Sequence, residues 1–192
     1  IQSMPDASPT KWHLAHTTWF FETFILKKFF RNYQEFHPKY NFLFNSYYNK
    51  IGDRHARPER GMITRPSSAE VYEYRNHIDN KMKEYFQMKS NSDVLRLIEL
   101  GIHHEQQHQE LLITDIKHAF SRNPLYPKYK EPTPVKGLSL SKSDWLIHPG
   151  GLVEIGYSGE KFIFDAEGPR HKIWLEPFCL AKNPVSNREY ID

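Results

Sequence analysis

Four prolines, Pro124, Pro127, Pro132 and Pro134, fall within residues 123–134. Proline has no amide hydrogen and a fixed φ, so neither a helix interior nor a central strand runs through such a stretch. The chain is therefore expected in two pieces. Upstream, apolar residues recur at helical spacing in long runs; downstream, short alternating segments are separated by Gly and Pro turn signals. We read residues 1–122 as a helical domain, 123–143 as a proline-rich linker, and 144–192 as the opening of a second, α+β domain. A length of 192 residues leaves room for one full domain and part of another. The chain starts at Ile1 and stops at Asn187-Arg188-Glu189-Tyr190-Ile191-Asp192, which reads as a helix start, so the expectation is a piece of a longer protein.

Hydrophobic residues make up 39% and aromatics 15%, too much packing material for a disordered tail. No apolar run approaches the length of a membrane span, and the start carries no basic-then-hydrophobic leader, so a soluble protein without membrane partners is expected. Cys179, the single cysteine, cannot form an intrachain disulfide, which fits a cytoplasmic location; it is expected as a small buried hydrophobe. The net charge of +3 is small, and basic residues are mixed with acidic ones, so nucleic acid is not an expected partner.

Within the helical domain, Ser8 is expected to cap a helix with Pro9 at its first position, running to about Phe30. Its apolar residues, Trp12, Ala15, Trp19, Phe20 and Phe24 among them, mark it as a core element. A shorter helix could occupy Tyr40 to Lys50. Ser67 and Glu70 form a capping-box pattern before Val71, Tyr74, Ile78, Met82 and Tyr85. Asn91-Ser92-Asp93 caps a last helix through Leu95, Ile98, Ile102 and Leu112 to about Phe120. The natural architecture is a mainly α four-helix bundle. In the second domain, strands are expected at Gly151 to Tyr157, Lys161 to Phe164 and His171 to Leu180, then a capped helix at Ser186 and Glu189.

Eleven histidines is a high count, and His103, His104 and His108 crowd into one helix. His104 and His108, at i and i+4, share a helix face and can share a metal ion. With Glu105 between them they formally complete H-E-x-x-H, but a zinc protease needs a third ligand in a fold this chain does not suggest. In a bundle, the third ligand can come from the first helix, where both His13 and His16 are candidates. Three neutral imidazoles would leave positions open on the ion, as catalysis requires, and they suit zinc and iron alike. Glu110 and Asp115 are candidates for orienting the ligand rings. The irregular stretch from Arg31 to Pro66 holds Arg54, Arg57, Arg60 and Arg65, residues suited to carboxylate recognition or to a solvated basic loop.

Ser8-Pro9-Thr10-Lys11-Trp12-His13-Leu14-Ala15-His16-Thr17-Thr18-Trp19-Phe20-Phe21-Glu22, with Leu43-Phe44-Asn45-Ser46-Tyr47-Tyr48 and His104-Glu105-Gln106-Gln107-His108, resembles the sulfoxide synthases of ergothioneine biosynthesis, the hercynine oxygenases. The helical part resembles that family's DinB-like domain. Residues 150–192, with Glu167-Gly168-Pro169-Arg170-His171 and Val185-Ser186-Asn187-Arg188-Glu189-Tyr190, resemble the opening of its formylglycine-generating-enzyme-like (sulfatase-modifying-factor) domain.

The resemblance implies a non-haem iron(II) enzyme that uses O2 to join the sulfur of a cysteine-type thiol to C2 of the hercynine imidazole as a sulfoxide. It implies Fe(2+) held by His16, His104 and His108, with His13 a neighbour. Gln107 matches a position that hydrogen-bonds hercynine, and Arg57 and Arg60 match a pair that holds the thiol substrate's carboxylate. The family's catalytic tyrosine belongs to the second domain beyond this chain, so these residues alone are expected to be inactive. The thiol is cysteine or γ-glutamylcysteine, with the long arginine loop closer to users of free cysteine. Three rivals stand beside this reading: the related ovothiol-type synthase, a DinB-like zinc-dependent thiol transferase, and a structural metal-binding bundle.

Overall fold

The structure is a computed structural model that describes residues 1–46, 52–88, 92–131, 133 and 144–191. It divides into two compact units, Ile1–Glu131 and Pro132–Asp192. The first unit carries α1 (Thr10–Phe21), which continues without interruption through a π-helical stretch (Glu22–Leu26) into the short α2 (Lys27–Phe29). Then come α3 (Tyr40–Phe44), a 3-10 helix (Arg57–Met62), α4 (Ser68–Phe86) and α5 (Ser92–Ser121).

The first helix lies where expected but starts differently. Pro9, not Ser8, occupies the cap position, and no side chain caps the helix. Ser8 is engaged elsewhere: its amide donates to Asp115 and its hydroxyl accepts from Arg60. Two long-range bonds outweigh one local cap. The π-helical stretch has no signal in a 3.6-residue period; there Glu22, Thr23, Ile25 and Leu26 are all buried. The expected helix from Tyr40 to Lys50 is seen as Tyr40–Phe44, and residues 47–51 lie outside the described residues.

α4 opens with the expected capping box, Glu70 N donating to Ser67 Oγ at 3.3 Å and Ser67 N to Glu70 Oε2 at 2.6 Å. It buries Val71, Tyr74, Ile78, Met82 and Tyr85, the five residues its spacing marks. These meet Trp12, Ala15, Trp19 and Phe20 of α1, and each large apolar side chain among them contributes roughly 1.5–3 kcal/mol by leaving water. α1 packs against both α4 and α5. α5 buries less: Val94 and Gly101 are enclosed and Ile98 packs on the core, whereas Leu95 and Ile102, expected on its apolar face, are exposed. Gly101 admits the close approach, because a Cβ there would stand 2.7 Å from Phe21 Cζ and 3.0 Å from Phe20 Cε1. That contact lies one turn before His104.

The second unit contains two antiparallel pairs. β1 (Trp145–His148) pairs with β4 (Phe178–Ala181), and β2 (Gly151–Ile155) with β3 (His171–Leu175) in the register Gly151↔Leu175 to Ile155↔His171. Gly150 joins β1 to β2 at φ +77°, and a Cβ there would meet the Leu175 carbonyl at 2.6 Å. Three expectations change. Lys161 to Phe164 is not a strand and leads into a 3-10 turn (Asp165–Glu167). The expected strand His171 to Leu180 breaks at Glu176-Pro177, where proline cannot donate to the ladder. Cys179 is exposed on β4, because among the described residues nothing covers that face. Ser186 and Glu189 do cap α6 (Asn187–Ile191), Glu189 N donating to Ser186 Oγ at 3.2 Å. Among the described residues no helix is long and apolar enough to cross a membrane.

Candidate metal centre

His16 on α1 and His104 and His108 on α5 converge, one ring nitrogen of each lying within 4.8 Å of the others. Their ring centroids are 4.6 to 4.9 Å apart. The i, i+4 spacing supplies two rings on one face of α5, and Gly101 lets α1 come close enough to add the third. The choice between His13 and His16 falls to His16. His13, one turn earlier, stands outside the triad against His108.

All three rings are held neutral. Burial, reinforced by the neighbouring His108 and His104, takes His16 well below its ordinary range. Burial pushes His104 down to about 4. His108 is pushed down to about 3 by burial, then by His104 and His13 and the guanidinium charges of Arg60 and Arg57. A neutral imidazole is the form that ligates a metal.

Hydrogen bonds to the outer ring nitrogens then decide which atom faces inward. Nδ1 of His16 lies 2.5 Å from the Phe44 carbonyl, which only accepts, so this nitrogen donates and Nε2 keeps its lone pair. Nδ1 of His108 lies 2.9 Å from Nδ1 of His13, whose Nε2 is 3.0 Å from Asp115 Oδ2. Nδ1 of His104 is buried with no hydrogen-bond partner among the described residues. An unpartnered buried nitrogen is costly beside two others with free lone pairs, and a divalent cation fits such a donor set.

Aromatic rings clamp the centre. His16 stacks on Trp12 at 4.6 Å and 14° and on Trp19 at 5.5 Å and 16°, and Phe20 lies 4.9 Å from His104. Trp12 also carries the Arg60 guanidinium 3.4 Å from its ring centroid. Positions 12, 16 and 19 share one helix face, which is the signal in the sequence that could have found this stack.

The remaining predicted residues separate. Arg60 is buried, donating to Ser8 Oγ at 3.0 Å and Ser46 Oγ at 3.1 Å. Arg57 is partly exposed and donates to the Asp6 carbonyl. With Arg54, His55 and Ser46 they line a cavity of about 330 Å³, so the arginine stretch is a built pocket in which Arg60 is buried and Arg54 and Arg57 are more accessible. Gln107 is exposed on α5, one residue before His108. Glu105 pairs with Arg75 at 2.5 Å and is thereby committed, which removes the general base that H-E-x-x-H proteases require. Of the two proposed orienting carboxylates, Asp115 reaches the site through His13, whereas Glu110 is exposed. His118 is not in the triad and meets Ser3 Oγ at 2.8 Å.

No protein-family model matches the chain. It is similar to an uncharacterized protein, YfmG, of Bacillus subtilis (strain 168), 30% identical over 103 residues, which is 47% of this chain and 21% of that protein. The chain thus spans about one fifth of that relative's length.

Proposed function

We propose that this chain belongs to a non-haem iron(II), O2-dependent sulfoxide synthase of ergothioneine biosynthesis, joining a cysteine-type thiol to C2 of hercynine. The observation that carries the reading is the triad of His16, His104 and His108, one buried and two half-buried, all held neutral, and drawn from the two segments that resemble that family. On this reading residues 1–122 are a DinB-like four-helix bundle and residues 144–192 open a formylglycine-generating-enzyme-like domain. The antiparallel strands after Trp145 support that order, since the thiol transferases with the same bundle typically lack a second domain. The working place is the cytoplasm.

Bound at the triad, iron(II) would supply open positions where thiolate, imidazole and oxygen meet. The chain's own residues do the rest. Neutral ligands leave the ion its full double charge, which attracts a thiolate. Arg57, accessible at the pocket rim, takes the thiol substrate's carboxylate, while buried Arg60 adds positive charge behind it and braces Ser8, Ser46 and Trp12. Gln107, exposed beside the triad on α5, offers its amide to the hercynine imidazole.

The test is anaerobic iron(II) loading of the parent-length protein, then assay with hercynine, cysteine and O2, with the product detected by mass. A sulfoxide adduct that vanishes in His104→Ala supports the proposal. An adduct formed on histidine at another ring carbon favours the ovothiol-type reaction. Zinc retained with no adduct from any thiol overturns the proposal in favour of a thiol transferase or a structural metal bundle.

A further inference from the structure

We propose that His13 and Asp115 are positioning residues for the metal ligand His108, fixing by a chain of hydrogen bonds which of its nitrogens faces the ion. The inference rests on the metal-binding reading of the triad but on none of the substrate chemistry.

With both rings neutral, the chain of bonds has one consistent assignment. Asp115 Oδ2 already accepts the Ser8 amide at 2.8 Å and lies 3.0 Å from Nε2 of His13. A carboxylate only accepts, so Nε2 of His13 carries the proton. A neutral His13 then has its lone pair on Nδ1, 2.9 Å from Nδ1 of His108, and that second nitrogen must donate. Nε2 of His108 is left bare and is the atom available to the ion. His13 is 4% exposed, and an enclosed ring favours the uncharged form. Were His13 absent, the half-buried Nδ1–H of His108 would lose its acceptor, and the tautomer with Nε2 protonated, which cannot ligate through that nitrogen, would become competitive.

The relay has a structural anchor as well. Asp115 stands two turns beyond His108 on α5 and holds the chain just before α1 through Ser8. Ser8 also accepts from Arg60. The ligand ring, the helix start and the arginine pocket thus share one carboxylate. Outer partners of metal-bound histidines of this kind typically account for a 10- to 100-fold effect on metal affinity.

The test is cobalt(II) titration of the 192-residue chain, followed by visible absorption, in wild type, His13→Ala, Asp115→Ala, His13→Gln and the control Ile78→Val. Urea unfolding of each metal-free protein runs alongside. Glutamine carries an acceptor oxygen and a donor nitrogen about as far apart as the two imidazole nitrogens, and Ile78 is a core residue of α4. Expected is a roughly 10- to 100-fold weaker cobalt affinity and an altered absorption band in both alanine variants, with His13→Gln within about threefold of wild type. Ile78→Val should lower the metal-free unfolding midpoint and leave the band unchanged. Alanine variants that bind cobalt like wild type, or that weaken only as far as their unfolding midpoints fall along the line of the control, overturn the relay while the metal centre stands. Should His13→Ala not fold, Asp115→Ala and His13→Gln decide by the same two readouts. A wild type that binds no divalent ion overturns both the relay and the metal centre.

Discussion

Arg60 lies 3.4 Å from the ring centroid of Trp12, and Trp12 in turn stacks on His16 of the histidine triad at 4.6 Å. The stack joins the arginine pocket to the candidate metal centre through one indole. Its planar guanidinium reaches Ser8 and Ser46 together while lying on the ring, a geometry an ammonium cannot copy. Arg60→Ala is therefore expected to destabilise the metal-free chain by roughly 2–4 kcal/mol, from a lost desolvated cation–π contact and two hydroxyls without their donor. Arg60→Lys should recover little of this. The removed charge should also let His16 and His108 titrate nearer the ordinary imidazole range. Urea unfolding and NMR titration of the ring protons check the two effects, and a lysine variant as stable as wild type would contradict the fork geometry.

Gly101 is the point at which α5 meets the Phe20 and Phe21 rings of α1, one turn before His104. Gly101→Val places a Cβ inside that contact and adds two methyl groups beyond it. Overpacking of this kind costs about 1–3 kcal/mol. A β-branched residue recovers only part of the glycine penalty in a helix. Because the strain separates α1 from α5, cobalt affinity should fall along with stability. A variant that loses stability but keeps wild-type affinity would show that the triad tolerates the displacement.

Much of the helical unit was legible in the sequence because its signals are local. The Ser67 and Glu70 capping box, the five core residues of α4 and the i, i+4 pair on α5 follow from spacing alone. What was not legible depends on bonds between distant positions. Ser8 reads as a helix cap until Asp115 and Arg60 claim it, and His13 and His16 are equal candidates until α5 is laid beside them. The β unit was read less well. A proline splits one expected strand, and β1 finds its partner only across twenty-nine intervening residues, so no local turn announces the pair.

Glu22 shows another gap, since nothing in its spacing marks a carboxylate as enclosed. It is 3% exposed and accepts from the Tyr33 hydroxyl at 2.6 Å, the Phe36 amide at 2.8 Å and the Tyr74 hydroxyl. Burial and this carboxylate together raise both phenols above their ordinary range, so they remain donors at any working pH. Glu22→Ala leaves one buried and two half-buried donors unmatched and is expected to cost about 3–5 kcal/mol. Glu22→Gln should cost less, because its carbonyl in the place of Oε1 still accepts from the Tyr33 hydroxyl and the Phe36 amide, while its NH2 faces only the Tyr74 hydroxyl, which must reorient. Chemical denaturation of the pair gives the order, and an alanine variant milder than the glutamine one would contradict the assigned bonds.

The depressed histidines set the sign of the pH dependence in the metal-free chain. Unfolded, His16, His104 and His108 would take up protons near the ordinary pKa of about 6.5. Folded, His104 and His108 resist until about 4 and about 3, and His16 is held lower than its ordinary range in the same direction. Below about pH 6.5 the unfolded state therefore binds more protons, and stability falls as pH falls, by up to about 1.4 kcal/mol per pH unit for each ring. Their contribution is complete above that range and is lost progressively on the way down to pH 4. Urea midpoints measured without metal from pH 8 to pH 4.5 should follow this course, and His104→Gln, with one titrating ring removed, should show a shallower slope. A midpoint that rises on acidification would mean that the folded rings bind protons more readily than the unfolded ones, the opposite of what their burial dictates.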